Sequence, residues 1–186
     1  MGNFDEAVTF VLKNEGGFVN SEKDPGGATN FGISLRLLRN LSVETLRKCG
    51  IFRCGNMLTV DDVANLTVDQ AKLVYRYVFW DAAPFQEIMS QGLCNYIFDM
   101  AVQHGINQAV KIAQRALWTF YMEREAEGVI DDGILGELTL TALNSAVAEY
   151  SLVLIGERTG FMRLLVAIKP EEKGFLNGWI DRCYRW

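Results

Sequence analysis

The sequence is poor in proline, with three in 186 residues, and it has a single histidine, His104. With 49% hydrophobic and 22% charged residues, it has the composition of a folded protein and not of a disordered one. One histidine and four cysteines (Cys49, Cys54, Cys94, Cys183) with no Cys-x-x-Cys cannot complete a convincing zinc set, so no metal or other cofactor is expected. The cysteines read as reduced thiols of a chain made in the cytoplasm, a Cys49–Cys54 disulfide being the alternative. There is no excess of cations: 18 Lys+Arg stand against 23 Asp+Glu, giving a net charge of −5. That balance argues against nucleic-acid partners and against capture by anionic lipid. Long apolar runs are missing too. The most apolar stretch, Tyr150–Ile168, is interrupted by Glu157, Arg158 and Arg163, so it fails as a membrane span and reads as a buried helix pair or one long helix. The N-terminus has acids where a signal peptide has a basic region, and no export signal is expected. No run of period two is long enough for a central strand.

What is present is helical periodicity with clear punctuation. Phe4, Ala7, Val8, Val11 and Leu12 form one apolar stripe of a helix from about Asp5 to Glu15, stopped by Gly16-Gly17. From Phe18 to Ile33 the density of turn formers, Asp24-Pro25-Gly26-Gly27 and Gly32, predicts a compact loop or short hairpin. Ser42-Val-Glu-Thr, Thr59-Val-Asp-Asp and Thr67-Val-Asp-Gln look like helix starts, the last a capping box opening the run Ala71, Val74, Tyr75, Val78, Phe79. A helix through Tyr96 to His104 should end at Gly105, and another from about Asn107 carries Val110, Ala113, Gln114 and Leu117 on one side. After a break at 128–136 come helical segments from Leu138, over 150–168, and beyond Pro170. The expected fold is mainly α with a small β-hairpin or loop after the first helix.

The chemically informative residue is Glu15. A carboxyl at a helix C-terminus faces the negative end of the macrodipole, and Phe18 adds an apolar neighbour; both disfavour the charged form, which suits a general acid. The alternative is a surface glutamate ahead of a glycine C-cap. Asp24 could stabilise positive charge or activate water and Thr29 could orient that water, although both residue types also serve loops as turn starter and helix cap.

The string Glu15-Gly-Gly-Phe-Val-Asn20, followed by Asp24-Pro-Gly-Gly-Ala-Thr29-Asn-Phe-Gly-Ile33, resembles the signature of glycoside hydrolase family 108, muramidases that include phage endolysins and secretion activator proteins. By that resemblance Glu15 is the catalytic residue, the fold is lysozyme-like, and the substrate is peptidoglycan, cut between N-acetylmuramic acid and N-acetylglucosamine. The spacing also looks like the Glu, Asp, Thr arrangement of phage lysozymes, with four residues between Asp24 and Thr29 where those enzymes have five. Tyr75-Arg76, Phe79-Trp80 and Phe98-Asp99-Met-Ala-Val-Gln103-His104-Gly105 resemble further blocks of the family, with Gln103 standing in place of asparagine. Asn30, Trp80, Tyr96 and Gln103 are candidate substrate contacts, the aromatics by stacking and Gln103 through an acetamido group, although aromatics at helical spacing also build cores. Asp99 and His104 read as a buried pair, or His104 as a helix cap. Asp131-Asp132-Gly133 and Phe175 to Arg182 resemble the peptidoglycan-binding region that follows the catalytic half, which suggests a catalytic part over 1–92 and a wall-binding part over 93–186. Such an enzyme would be made in the cytoplasm and act at the periplasm or wall, with a holin or another export partner. The alternatives are a non-catalytic wall-binding or secretion-helper protein and a helical interaction domain.

Overall fold

Ser42, Thr59 and Thr67 each turn out to be helix N-caps, with side-chain oxygens accepting from the backbone N–H three residues on. The computed structural model describes residues 1–20, 27–52, 57–121, 129–146 and 148–186. Asp24, Cys54 and the first residue of the glycine break, Gly128, lie outside them. Contacts divide the chain into two compact units, residues 4–82 and residues 83–186 with the first three residues. The described residues are mainly helical, with one two-stranded sheet.

The first unit begins with α1 (Phe4–Asn14), whose Ala7, Val8 and Val11 are completely buried and whose first turn carries Asp5 and Glu6, favourable at the positive end of the helix. A hairpin of β1 (Thr29–Asn30) and β2 (Ile33–Ser34) follows, paired Thr29 with Ser34 and Asn30 with Ile33. Then come α2 (Leu35–Asn40), α3 (Val43–Lys48), α4 (Val60–Ala64) and α5 (Val68–Val78), and a single 3₁₀ turn at Trp80–Ala82. Capping boxes open both α4 and α5: Thr59 with Asp62, and Thr67 with Gln70. Each such cap stabilises its helix by about 0.5–2 kcal/mol. The apolar run foreseen on α5 buries Ala71, Val74 and Tyr75.

In the second unit, α6 (Gln91–His104) has buried residues around most of its circumference, including Cys94, Tyr96, Ile97, Phe98, Asp99, Met100 and Ala101. A helix apolar on all sides belongs inside a bundle, and α7 (Ile106–Tyr121) packs against it. Gly105, at φ +82°, ends α6 where glycine was expected to end it. Next are α8 (Glu137–Ser145), α9 (Tyr150–Ile168) and α10 (Leu176–Cys183), the last two separated by a 3₁₀ segment at Pro170–Phe175. The interrupted apolar stretch is thus one helix of 19 residues, and no described helix is long and apolar enough to cross a membrane. Its Arg158 is fully buried and ion-paired with Asp99 of α6 at 2.7 Å.

Candidate active site

Glu15 is the first residue past α1, and its N–H still donates to the Val11 carbonyl at 3.1 Å, so the helix fixes its position. Its side chain is half-buried. Neither Gly16 nor Gly17 has a positive φ, so the Glu-Gly-Gly string is not the left-handed glycine C-cap of the structural alternative. Nor does packing demand glycine at either place: a Cβ on either would meet no described atom within 4 Å. Conformation and, among the described residues, space would both admit a side chain, and the glycines leave the backbone beside Glu15 bare.

Across from Glu15 stands the hairpin. Phe31 and Gly32 form its two-residue turn, both with positive φ (+50° and +76°), the pattern of a type I′ turn that matches strand twist. Glycine carries such a conformation freely. Phenylalanine does not, and holding Phe31 there costs on the order of 1–2 kcal/mol. The support comes from α5, where the buried Tyr75 hydroxyl donates to the Phe31 carbonyl at 2.7 Å. Gly32 is required by space as well. A Cβ on it would lie 2.5 Å from Glu15 Oε2 and 2.5 Å from the Tyr75 hydroxyl oxygen. Helix end, hairpin turn and phenol therefore meet around Glu15.

Thr29 lies on β1, half-buried, with its backbone exchanging two 2.8 Å hydrogen bonds with Val19 and its hydroxyl 3.4 Å from the Gly27 carbonyl. The cap of the following helix is Ser34, which leaves Thr29 without that structural duty. Its neighbour Asn30 faces the opposite way, as strand alternation dictates, and is 5% exposed. The Asn30 amide donates to the carbonyls of Val63 and Ala64 at 3.1 and 3.2 Å, satisfying two orphan acceptors at the end of α4. Asn30, expected as a substrate contact, thus braces the end of α4 through its amide N–H groups.

The aromatic candidates are corrected in the same way. Trp80 is 4% exposed and meets Phe4 edge-on at 5.4 Å, with the Arg76 guanidinium 5.0 Å from the same Phe4 ring. Tyr96, in the second unit, is fully buried; its hydroxyl donates to the Cys183 carbonyl at 2.6 Å and its ring lies under Arg158. Burial pushes the Tyr96 phenol up to about 12. Neither ring has a face to offer a sugar, because each spends it in a core. Gln103 accepts from Arg158 at 2.7 Å and belongs to a polar network inside the second unit.

Asp99 anchors that network, bound by Arg158 of α9 at 2.7 Å and by Arg182 of α10 at 2.8 and 3.1 Å. Burial pushes its carboxyl up, but the hydrogen bonds and charges of Arg182 and Arg158 outweigh burial and hold it below the usual range. His104 stands edge-on to Phe161, and burial, helped by the two arginines, brings it down to about 3, so it is a neutral ring at neutral pH and not an acid–base catalyst there. The Asp131-Asp132-Gly133 loop is knotted around buried Gln114, which donates to Asp132 and Thr139 and accepts from the Gly133 N–H. Beside it a pocket of about 220 Å³ is lined by Ile130, Ile134 and Leu138 among others. Among the described residues no cluster of His, Cys, Asp or Glu has the arrangement to hold a metal ion.

The sequence reading missed Tyr75 and Gly32 as site residues. The available signal was Phe31-Gly32 between two short strands together with a tyrosine on a buried helix stripe, whose hydroxyl must find a partner. A family model described as glycosyl hydrolase 108 matches residues 8–105. Among solved structures the chain is similar to that of Brucella abortus SagA, at 29% identity and a TM-score of 0.71, over 98% of this chain and 90% of that one. No curated protein matches it.

Proposed function

Because this chain belongs to the glycosyl hydrolase 108 family, and is a glycoside hydrolase on that ground, we propose that it cleaves peptidoglycan between N-acetylmuramic acid and N-acetylglucosamine with Glu15 as the general acid. The supporting observation is the seat of Glu15: a half-buried carboxyl fixed by the end of α1 against the hairpin turn, beside bare glycine backbone. Bare backbone permits the close approach that a long glycan needs. Glu15 gives its proton to the bridging oxygen as the bond to the muramic acid C1 breaks; water supplies hydroxyl to C1 and a proton that restores the carboxyl. Thr29, on the strand facing away from α4, would orient that water. Asp24, outside the described residues, would supply the second carboxylate. The wall opening would serve phage lysis or remodelling for secretion, with an export partner such as a holin, and the pocket at 129–139 would add a hold on the wall.

Reducing-sugar release and mass analysis of muropeptides from purified peptidoglycan test this reading. The wild type should yield products ending in reducing N-acetylmuramic acid, and Glu15→Gln, folded by circular dichroism, should lose about 10²–10⁴-fold in rate. Binding to wall without product from the wild type would turn the assignment to a non-catalytic wall-binding helper.

A further inference from the structure

The turn facing Glu15 has two features that a simple chain reversal does not need. A bulky residue, Phe31, occupies the left-handed region at φ +50°, where asparagine or glycine is the ordinary choice. Next to it, Gly32 has no room for even a methyl group, because Glu15 Oε2 and the Tyr75 hydroxyl oxygen each lie 2.5 Å from where that methyl would be. Strained backbone persists only where the surroundings hold it, and it gathers at functional sites. Here the holder is identifiable: the Tyr75 hydroxyl, on a helix 44 residues away in sequence, donates to the Phe31 carbonyl at 2.7 Å. The Tyr75 ring is buried in the core of its unit, where a phenylalanine would fill the same volume. What phenylalanine would lack is the hydroxyl that touches the turn and borders the Glu15 carboxyl.

We propose that Tyr75 is a positioning residue for Glu15, its hydroxyl pinning the Phe31–Gly32 turn so that turn and phenol oxygen together fix where the carboxyl stands. The proposal rests on Glu15 being the general acid. A proton donor gains its rate from standing at the leaving oxygen, and a displacement of about 1 Å is enough to cost about 10²-fold. Binding of the glycan, spread over many sugars, is little affected by such a shift, so the loss belongs in kcat and not in KM.

Steady-state kinetics on soluble peptidoglycan glycan oligomers, with Glu15→Gln, Tyr75→Phe and Gly32→Ala compared after melting curves confirm folding, decide the matter. The expected result is that Tyr75→Phe lowers kcat by about ten- to a hundred-fold with KM within about two-fold, and that Gly32→Ala does the same. Full kcat in Tyr75→Phe with Glu15→Gln inactive overturns the role of Tyr75 and leaves Glu15 as the acid. A raised KM at unchanged kcat also overturns it, assigning the hydroxyl to substrate grip. Activity retained in Glu15→Gln removes the acid and the positioning proposal together. If Tyr75→Phe fails to fold, it is made on Phe31→Gly, which relieves the turn: kcat about ten- to a hundred-fold below that of Phe31→Gly alone at constant KM supports the proposal, and equal kcat overturns it.

Discussion

Replacing Asp99 by asparagine keeps the shape of the side chain and removes one charge from the middle of the second unit. Asp99 and Arg158 are both fully buried, and Asp99 also receives Arg182, so the variant leaves two guanidinium groups facing a neutral amide. Breaking a buried ion pair by removing one partner costs about 3–5 kcal/mol, because the orphaned charge has neither water nor counter-charge. For a chain of this length each kcal/mol moves the melting temperature by about 2–4 °C, so Asp99→Asn should melt about 6–20 °C below the wild type at pH 7. The difference carries a pH signature. The folded-state carboxyl of Asp99 is held below its ordinary value, so its stabilising contribution is present above about pH 4 and fades as pH falls through the folded-state value. Wild type and variant should therefore converge in acid. Thermal melts followed by circular dichroism at pH 7 and at decreasing pH measure both. A melting point within about 2 °C of wild type at pH 7, or a gap that does not narrow in acid, would refute the assignment of this network as a stabilising anchor.

Asn30→Ala should cost about 1–3 kcal/mol by leaving the Val63 and Ala64 carbonyls unsatisfied, read as a lower melting temperature; intact stability with a raised KM would return Asn30 to the substrate. Cys49, Cys94 and Cys183 are free and buried, and burial pushes the Cys94 thiol up to about 12, so a thiol-reactive dye at pH 8 should label no more than one of the four cysteines in the native protein and all four after unfolding. The lone His104, pushed down by burial to about 3, should show no ring titration by NMR between pH 8 and pH 5, and a midpoint near 6.5 would place it in water.

Much of the helical framework was legible because its signals are local. Ser42, Thr59 and Thr67 act on N–H groups three residues along the chain, so the cap and its target are read in one glance. Gly105 ends α6 by its own conformational freedom, and the apolar stripe of α1 follows from helical period alone. The Glu-Gly-Gly string located the candidate acid. The structure then removed the C-cap alternative for Gly16 and Gly17, whose φ values no sequence displays.

Residue type alone left the polar and aromatic candidates undecided, since tyrosine, tryptophan and asparagine suit a sugar and a core equally well. Whether Tyr96 stacks on a ligand or lies beneath Arg158, and whether Asn30 holds a sugar or the end of α4, depends on partners tens of residues away. Arg158 reads in the sequence as a charge that interrupts an apolar helix; the approach of Asp99, 59 residues distant, supplies the counter-charge that makes its burial tolerable, with Gln103 as a further acceptor. The same holds for Glu15. The sequence by itself determined its identity, its helix and the glycines beside it, because these are fixed by neighbours along the chain. Only the tertiary structure decided that a strained turn and a phenol hydroxyl stand against its carboxyl, because hydrogen bonds and excluded volume act across space without regard to sequence separation.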